Sequence, residues 1–256
     1  MPTCQDDLGA DVAVAGPATR IVSLVPSLTE AIAATRPDTL VAATQWCTYP
    51  PDLDVERVRG TKNPDVRRIL ALAPDIVIAN QEENRRVDVE KMRRAGIPVW
   101  VTVTEDVPGA LSALTRMFTV ALQWPQPAWL ARCQTQWAAP IPPPARSVAI
   151  PIWRDPWMVV GSRTFTGDLA RRLGLVNVFA DAPQRYPHVS VEDIRARQPD
   201  LVLLPDEPYP FNAADGPDAF PGLPCAPVEG RALTWYGPSL LTAHKTVQDA
   251  VRSRLP

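Results

Sequence analysis

A short helix, a Pro-Asp turn and a four-residue apolar strand occur together twice in this chain of 256 residues. The first copy, at 65–78, is DVRRILALAPDIVI, and the second, at 191–204, is VEDIRARQPDLVLL. A helix that leads directly into a buried strand is the unit from which parallel sheets are built. Because one copy lies in each half of the chain, the pattern predicts two similar α/β lobes.

Further strands and helices alternate around both copies. Strands are predicted at 20–25, 40–44, 76–79, 98–103, 148–152 and 201–204, and helices at 27–34, 65–72, 85–95, 165–173 and 190–197. Ser27 and Glu30 have the spacing of a capping box, and Asn63 before Pro64 indicates a second helix start. Strands and helices in this order predict an α/β fold with parallel sheets.

Proline divides the chain. There are 30 prolines among 256 residues, which is more than twice the usual proline share of about 5%. Two proline-rich stretches, 124–127 and 140–144, flank a short helix expected at 128–138. We therefore predict an N-terminal lobe at 20–123, a bridging helix and proline-rich connection at 124–145, and a C-terminal lobe at 146–256. The cleft between two such lobes is the default ligand site.

Charge and composition exclude several classes of protein. The 26 basic and 28 acidic residues give a formal net charge of −2, which argues against nucleic acid as the main partner. No apolar run approaches the roughly 18 residues of a membrane span. The four cysteines are far apart and only two histidines accompany them, so we expect no metal site.

The start of the sequence bears on location. Its first twenty residues lack the charged and apolar regions of a secretory signal, and cysteines without a CxxC pair suit a reducing compartment. The sequence as written predicts a cytoplasmic protein. The alternative is a periplasmic or extracellular protein whose true start lies upstream.

Recognised catalytic motifs are absent, including phosphate loops, nucleophile elbows and HExxH. Cys47 lies in a promising loop, although a buried inert thiol explains it equally well. Lys62 is one of three lysines and either attracts an anion at a helix start or is a solvated surface side chain. His188 is a candidate ligand or base, but a lone histidine is more often a packed residue. We predict a non-catalytic protein without a cofactor.

Aromatic and polar side chains follow predicted strands in five places. Ligands bind at the carboxyl ends of strands in open α/β sheets, so we expect these side chains to line one cleft. The alternative is that some of them pack as hinge or core residues. The predicted ligand-binding residues are Trp46, Tyr49, Lys62, Asn63, Glu82, Asn84, Trp153, Tyr186, Tyr209, Phe211, Trp235 and Tyr236.

Several motifs together carry a family resemblance. They are RIVSLVPSLTE at 20–30, the Tyr-Pro-Pro loop at 49–51, the run 65–78 and the Gly-Ile-Pro-Val turn at 96–99. They resemble the class III periplasmic binding proteins for vitamin B12 and iron chelates, the helical-backbone receptors of ABC importers. The resemblance covers 20–105 well and 165–204 more loosely. The motifs at 60–65, 82–85, 207–211 and 233–237 are similar to those of a leaderless subgroup.

The resemblance implies a fold, a ligand and a partner. The implied fold is two Rossmann-like lobes joined by a bridging helix, with cobalamin or a metal chelate in the cleft between them. Aromatic side chains cover the flat macrocycle in the B12 receptors, and Trp46, Trp235 and Tyr236 fall where such contacts would lie. Each lobe also offers an acidic residue to arginines of the importer permease, here Glu56 and Glu192.

Three functional hypotheses follow. The first is a non-catalytic substrate-binding protein for cobalamin or an iron or other metal chelate, with an ABC importer permease as the partner that the family implies. The second is a cytoplasmic enzyme or accessory factor that acts on a tetrapyrrole or metal chelate. The third is a regulatory or interaction module that has kept the fold and lost the ligand.

Overall fold

The computed structural model describes residues 3–254, which form two compact units. Unit 1 comprises the described residues up to Thr104, then Pro108–Thr135 and Tyr236–Pro238. Unit 2 comprises Glu105–Val107, Gln136–Trp235 and the described residues from Ser239 onward. Each unit contains one parallel sheet. The prediction of an α/β chain with two parallel sheets is confirmed.

Unit 1 contains a five-stranded sheet and two small antiparallel pairs. Its elements in chain order are β1 (Thr3–Gln5), β2 (Asp11–Ala13), β3 (Ile21–Ser23), α1 (Pro26–Ala33), β4 (Leu40–Ala43), β5 (Glu56–Arg57), β6 (Arg59–Gly60), β7 (Asn63–Pro64), α2 (Val66–Ala71), β8 (Ile76–Asn80), α3 (Arg86–Arg94) and β9 (Val99–Thr102). Most residues of two further helices, α4 (Val107–Arg116) and α5 (Ala128–Trp137), also belong to unit 1, whereas Val107 and the last two residues of α5 belong to unit 2. The sheet order is β5-β4-β3-β8-β9, and all neighbours are parallel. A π-helical stretch, Met117–Ala121, continues α4.

Every residue of β3 and β8 is buried. Helices cover parallel sheets on both faces, so their central strands are continuous apolar runs rather than alternating ones. This is why Ile21–Ser23 and Ile76–Asn80 show no polar face in the sequence.

Two helix starts differ from the predicted ones. Helix α1 begins at Pro26 after an extended Val25, without a side-chain cap, because proline suits the first helical position. Asn63 and Pro64 form β7, which pairs with β6. Helix α2 is capped instead by Asp65, whose side chain accepts a hydrogen bond from the Arg68 backbone N–H.

Unit 2 has a four-stranded sheet. Its elements are β10 (Arg146–Ala149), β11 (Pro151–Trp153), β12 (Met158–Val159), α6 (Phe165–Arg172), β13 (Leu175–Asn177), α7 (Val191–Ala196), β14 (Leu201–Pro205), β15 (Cys225–Val228), α8 (Gly230–Thr234) and α9 (Leu240–Arg252). The parallel sheet has the order β13-β10-β14-β15, and β11 and β12 form an antiparallel hairpin after β10. Ser190 and Asp193 form a capping box at the start of α7.

The two Pro-Asp turns have the same role in the two units. The Asp75 carboxylate accepts hydrogen bonds from the backbone N–H groups of Thr19 and Arg20, at 2.8 and 2.9 Å, just before β3. The Asp200 carboxylate accepts them from the backbone N–H and hydroxyl of Ser147 in β10, at 2.7 and 2.9 Å. Each aspartate therefore ties its own strand to the start of the neighbouring strand.

Among residues 3–254, every helix is too short or too polar to cross a bilayer.

Candidate functional site

The segment 44–53, here called the Trp46 loop, follows β4 at the carboxyl edge of the unit 1 sheet. Trp46 is 60% exposed and Tyr49 is 37% exposed, unusually high values for large aromatic side chains. The indole lies over Gly60, where an added Cβ would be 3.2 Å from Trp46 Nε1. Because Gly60 has no side chain, the ring can approach the backbone closely. The loop thus presents a supported aromatic face to solvent.

A buried thiol anchors the Trp46 loop from inside. The Cys47 Sγ atom accepts a hydrogen bond from Thr29 Oγ1 at 3.1 Å and lies 3.1 Å from Thr44 Oγ1. Burial raises the pKa of the Cys47 thiol, so it remains protonated and weakly nucleophilic at neutral pH. The geometry favours the inert-thiol alternative for Cys47.

Asn84 joins the loops next to the Trp46 loop. Its Oδ1 accepts a hydrogen bond from the Asn80 N–H at 2.9 Å. Its Nδ2 donates to the carbonyl oxygens of Leu24 and Thr61, at 3.3 and 3.0 Å. Asn84 is buried, so its amide is occupied in organising the strand ends.

Lys62 lies in the β6–β7 turn and not at a helix start, since α2 begins at Val66. The prediction that placed it beside a helix N-terminus is therefore wrong. Its Nζ donates to the backbone carbonyl of Glu82. Lys62 and Asn63 are exposed and Glu82 is half-buried, so these three polar side chains border the same loops.

Tyr236 belongs to unit 1, although it lies late in the chain. It is 5% exposed, and its hydroxyl donates to Glu83 Oε1 at 3.4 Å. Burial, followed by the nearby Glu83 charge, raises the pKa of the Tyr236 phenol well above its usual range. Tyr236 is therefore a packed neutral side chain, in agreement with the packing alternative left open above.

Unit 2 carries an aromatic cluster beside the β11–β12 hairpin. Trp153 meets Tyr209 edge-on, with ring centroids 5.6 Å apart, and Tyr209 meets Phe211 at 4.6 Å. Phe211 stacks on Trp157 at 5.8 Å. Trp153 is 41% exposed, Tyr209 is half-buried and Phe211 is buried. The cluster therefore has one exposed end, formed by Trp153 and Tyr209.

Arg154 fixes the loop that carries this cluster. Its guanidinium forms two hydrogen bonds of 2.9 Å to Asp218, also pairs with Asp215, and lies 5.5 Å from the centroid of Trp157. The hydroxyl of Tyr209 donates to Asp215 at 2.8 Å. Hydrogen bonding from Arg154 lowers the pKa of Asp218 to about 2. The network stays charged at neutral pH and orients Tyr209.

Trp235 is packed within unit 2, where it is 6% exposed. Its side chain hydrogen-bonds Glu207, and the Arg231 guanidinium lies 5.9 Å from the centroid of its ring. Glu207 is half-buried against Gly230. Burial raises the pKa of Glu207 to about 7.

The remaining predicted residues lie elsewhere on the two units. Tyr186 is half-buried, and His188 is exposed, with its backbone bridged to Met158. Glu56 forms a bidentate ion pair with Arg68, whereas Glu192 is exposed in the first turn of α7. Within residues 3–254, no group of three His, Cys, Asp or Glu side chains is arranged to hold a metal ion.

The chain is similar to known binding proteins in sequence and in structure. No profile of a known protein family matches the chain. The Vitamin B12-binding protein of Vibrio cholerae serotype O1 is 29% identical over 198 residues, which are 73% of this chain and 70% of the relative. The crystal structure of the periplasmic vitamin B12 binding protein of Vibrio cholerae superposes with a TM-score of 0.69 and 23% identity, covering 93% of this chain and 98% of that one. A periplasmic heme-binding protein from Pseudomonas aeruginosa gives a TM-score of 0.75 and 24% identity, covering 93% and 95%.

The chain is therefore similar in sequence to vitamin B12-binding proteins and shares the fold of periplasmic binding proteins. This confirms the resemblance drawn from the motifs in 20–105. These similar proteins are named binding proteins, in agreement with the predicted non-catalytic role. Their solved structures are described as periplasmic, so the expected cytoplasmic location finds no support among them.

Sequence reasoning missed the arginines that hold the Trp46 loop and the unit 2 loop. Arg154 binds the unit 2 loop, and Arg57 donates to carbonyl groups of the Trp46 loop. Arginine is common in this chain, and the partners of Arg57 and Arg154 do not form a recognised sequence motif with them. The sequence position of Arg154, directly after the predicted ligand-binding residue Trp153, was the one feature that could have indicated its role.

Proposed function

We propose that this chain is a non-catalytic binding protein for cobalamin or an iron chelate such as haem. The observation that carries the proposal is the largely exposed Trp46 indole, supported by Gly60 and an anchored loop at the carboxyl edge of a parallel sheet. An exposed rigid indole suits a flat, partly apolar ligand. Relatives of the chain are named vitamin B12-binding and heme-binding proteins.

The ligand contacts are proposed to come from the accessible members of the predicted set. In unit 1 these are Trp46, Tyr49, Lys62, Asn63 and Glu82, and in unit 2 they are Trp153, Tyr186 and Tyr209. The buried members, Asn84, Phe211, Trp235 and Tyr236, are proposed to support the loops rather than to touch the ligand.

An extracytoplasmic location and an ABC importer permease as partner complete the proposal. Glu192 is exposed at the start of α7 and accessible to a permease arginine. Glu56 would have to exchange its ion pair with Arg68 for one with the permease. Exposed ion pairs contribute little to stability, so such an exchange is inexpensive.

The test is calorimetric titration of the purified protein with cyanocobalamin, haem and a ferric siderophore. We expect saturable binding of one of them, and Trp46→Ala should weaken it by roughly ten- to a hundredfold, as truncation of an aromatic anchor does. The unfolding midpoint should hardly change, because an exposed side chain leaves no cavity.

Val87→Ala is the matched control, since Val87 is an exposed apolar side chain on α3. It should leave both affinity and stability unchanged. Absence of saturable binding for all three ligands would refute the ligand class. Unchanged affinity in Trp46→Ala would refute the site.

A further inference from the structure

Arg57 makes three hydrogen bonds to the backbone of the Trp46 loop. Its Nη1 donates to the carbonyl oxygens of Thr44 at 3.2 Å and Cys47 at 2.8 Å. Its Nη2 donates to the carbonyl of Leu53 at 2.9 Å. These carbonyls belong to the first, fourth and last residues of the loop. One guanidinium therefore joins the two ends of the segment that carries Trp46 and Tyr49.

The loop is held unevenly by its other contacts. Its first residues are fixed by the Gln45 N–H bond to the Arg59 carbonyl at 2.7 Å and by the buried Cys47 thiol. Its second half closes with a turn from the Leu53 N–H to the Pro50 carbonyl at 3.1 Å. The Arg57 bond to Leu53 ties this turn back to the first half.

The backbone of Arg57 is itself held in place by strand pairing. It lies in β5, where it pairs with Ala43 of β4, and the next residue, Val58, donates its N–H to the Ala43 carbonyl at 3.0 Å. The planar guanidinium offers donors in a rigid fork, which a lysine ammonium cannot reproduce. The arrangement is therefore specific to arginine.

We propose that Arg57 is a positioning residue that holds the Trp46 loop in its ligand-binding conformation without touching the ligand. This rests on the proposed function, because it assigns the role of Arg57 through Trp46 and Tyr49. Without Arg57 the loop samples other conformations. The apparent Kd then rises in inverse proportion to the fraction of molecules whose loop is in the binding-competent conformation.

The experiment compares Arg57→Gln and Arg57→Lys with Arg67→Gln, in which an exposed arginine of α2 undergoes the same charge change. Two quantities are measured. The first is the Kd for whichever of cyanocobalamin, haem or ferric siderophore the wild type binds. The second, on ligand-free protein, is hydrogen exchange of 44–53 together with the fluorine NMR signal of 5-fluorotryptophan at Trp46, assigned with Trp46→Phe.

We expect both Arg57 variants to raise Kd about tenfold, to accelerate exchange in 44–53 and to shift or broaden the Trp46 signal. Arg67→Gln should change none of these. The unfolding midpoint identifies any variant that does not fold, and Arg57→Lys decides the question if Arg57→Gln fails.

Retained affinity and an unchanged loop in Arg57→Lys, with weakened binding in Arg57→Gln, would overturn the proposal and assign Arg57 a direct charge contact. A mobile loop with unchanged affinity would also overturn it, as would the absence of any effect. If the wild type binds none of the three probes, the proposed function fails. The exchange and NMR data then still decide whether Arg57 fixes the loop.

Discussion

Glu207 gives unit 2 a carboxyl group that is costly to ionise. It is half-buried, and its Oε1 has no hydrogen-bond partner among residues 3–254. Burial and the neighbouring Asp206 raise its pKa, the latter by like-charge repulsion, and Glu229 adds to that repulsion. The Trp235 hydrogen bond and the Arg231 charge act in the opposite direction. The result is a pKa of about 7 against an ordinary value of 4.5.

The sign of the effect on stability follows from this difference. Because the folded pKa lies above the unfolded one, the contribution of Glu207 is fully present below pH 4.5 and is lost as the pH rises through about 7. The difference between the two pKa values corresponds to about 3 kcal/mol of unfolding free energy. Partial solvent exposure screens some of this, so we expect roughly 1–3 kcal/mol.

Glu207→Gln removes the ionisation and keeps an acceptor for Trp235. Urea unfolding of wild type and variant between pH 4 and about pH 9 should give equal stabilities at the acidic end. The variant should become the more stable protein as the pH rises through about 7. A stability difference between Glu207→Gln and wild type that does not vary with pH would refute the reasoning.

Two further predictions concern stability alone. Asp6 is buried, pairs with Arg93 and accepts three backbone N–H bonds, so Asp6→Asn should cost about 3 kcal/mol of unfolding free energy in urea titrations; a loss below about 1 kcal/mol would contradict this. Gly230→Ala would place a Cβ that overlaps Cγ of Glu207 and lies 2.9 Å from its backbone nitrogen, so the thermal midpoint should fall by several degrees, corresponding to about 1–3 kcal/mol. Gly16→Ala, where an added Cβ meets nothing within 4 Å, should leave the midpoint unchanged, and equal midpoints for both glycine variants would contradict the clash.

Strands β3, β4, β8, β9, β10 and β14 could be predicted from the sequence because they are short apolar runs bounded by Pro, Asp and Gly. Strands β5, β13 and β15 of the same sheets were missed. Helix α4 and the π-helical stretch after it were missed, since Pro108 and Gly109 at the start of α4 suggest a turn. Proline is tolerated in a first helical turn, where its missing N–H has no partner to lose. Local sequence does not distinguish that position from a loop.

The exposure of the aromatic side chains could not be predicted. Trp46 and Trp235 both follow strands, yet the first is exposed and the second is buried. Trp235 can be buried because Glu207, 28 positions earlier in the chain, accepts its indole hydrogen bond. A buried indole needs such a partner, and partners far apart in sequence are supplied by the fold. Residue type and strand position therefore identified the edge of the sheet but not the side chains that reach solvent.

The repeat of a helix, a Pro-Asp turn and a strand is part of a topology that both parallel sheets share. When the edge strand β5 is set aside, the unit 1 sheet has the order β4-β3-β8-β9, with the second strand beside the first and the third and fourth following. The unit 2 order β13-β10-β14-β15 is the same. Asp75 and Asp200 occupy equivalent places at the amino ends of β8 and β14, where each holds the start of the first strand. The carboxyl ends differ, with an anchored Trp46 loop in one unit and an Arg154-bound aromatic cluster in the other. Since the amino ends share one device and the carboxyl ends do not, the sequence pattern repeats where it sets the fold and diverges where we propose that the ligand binds.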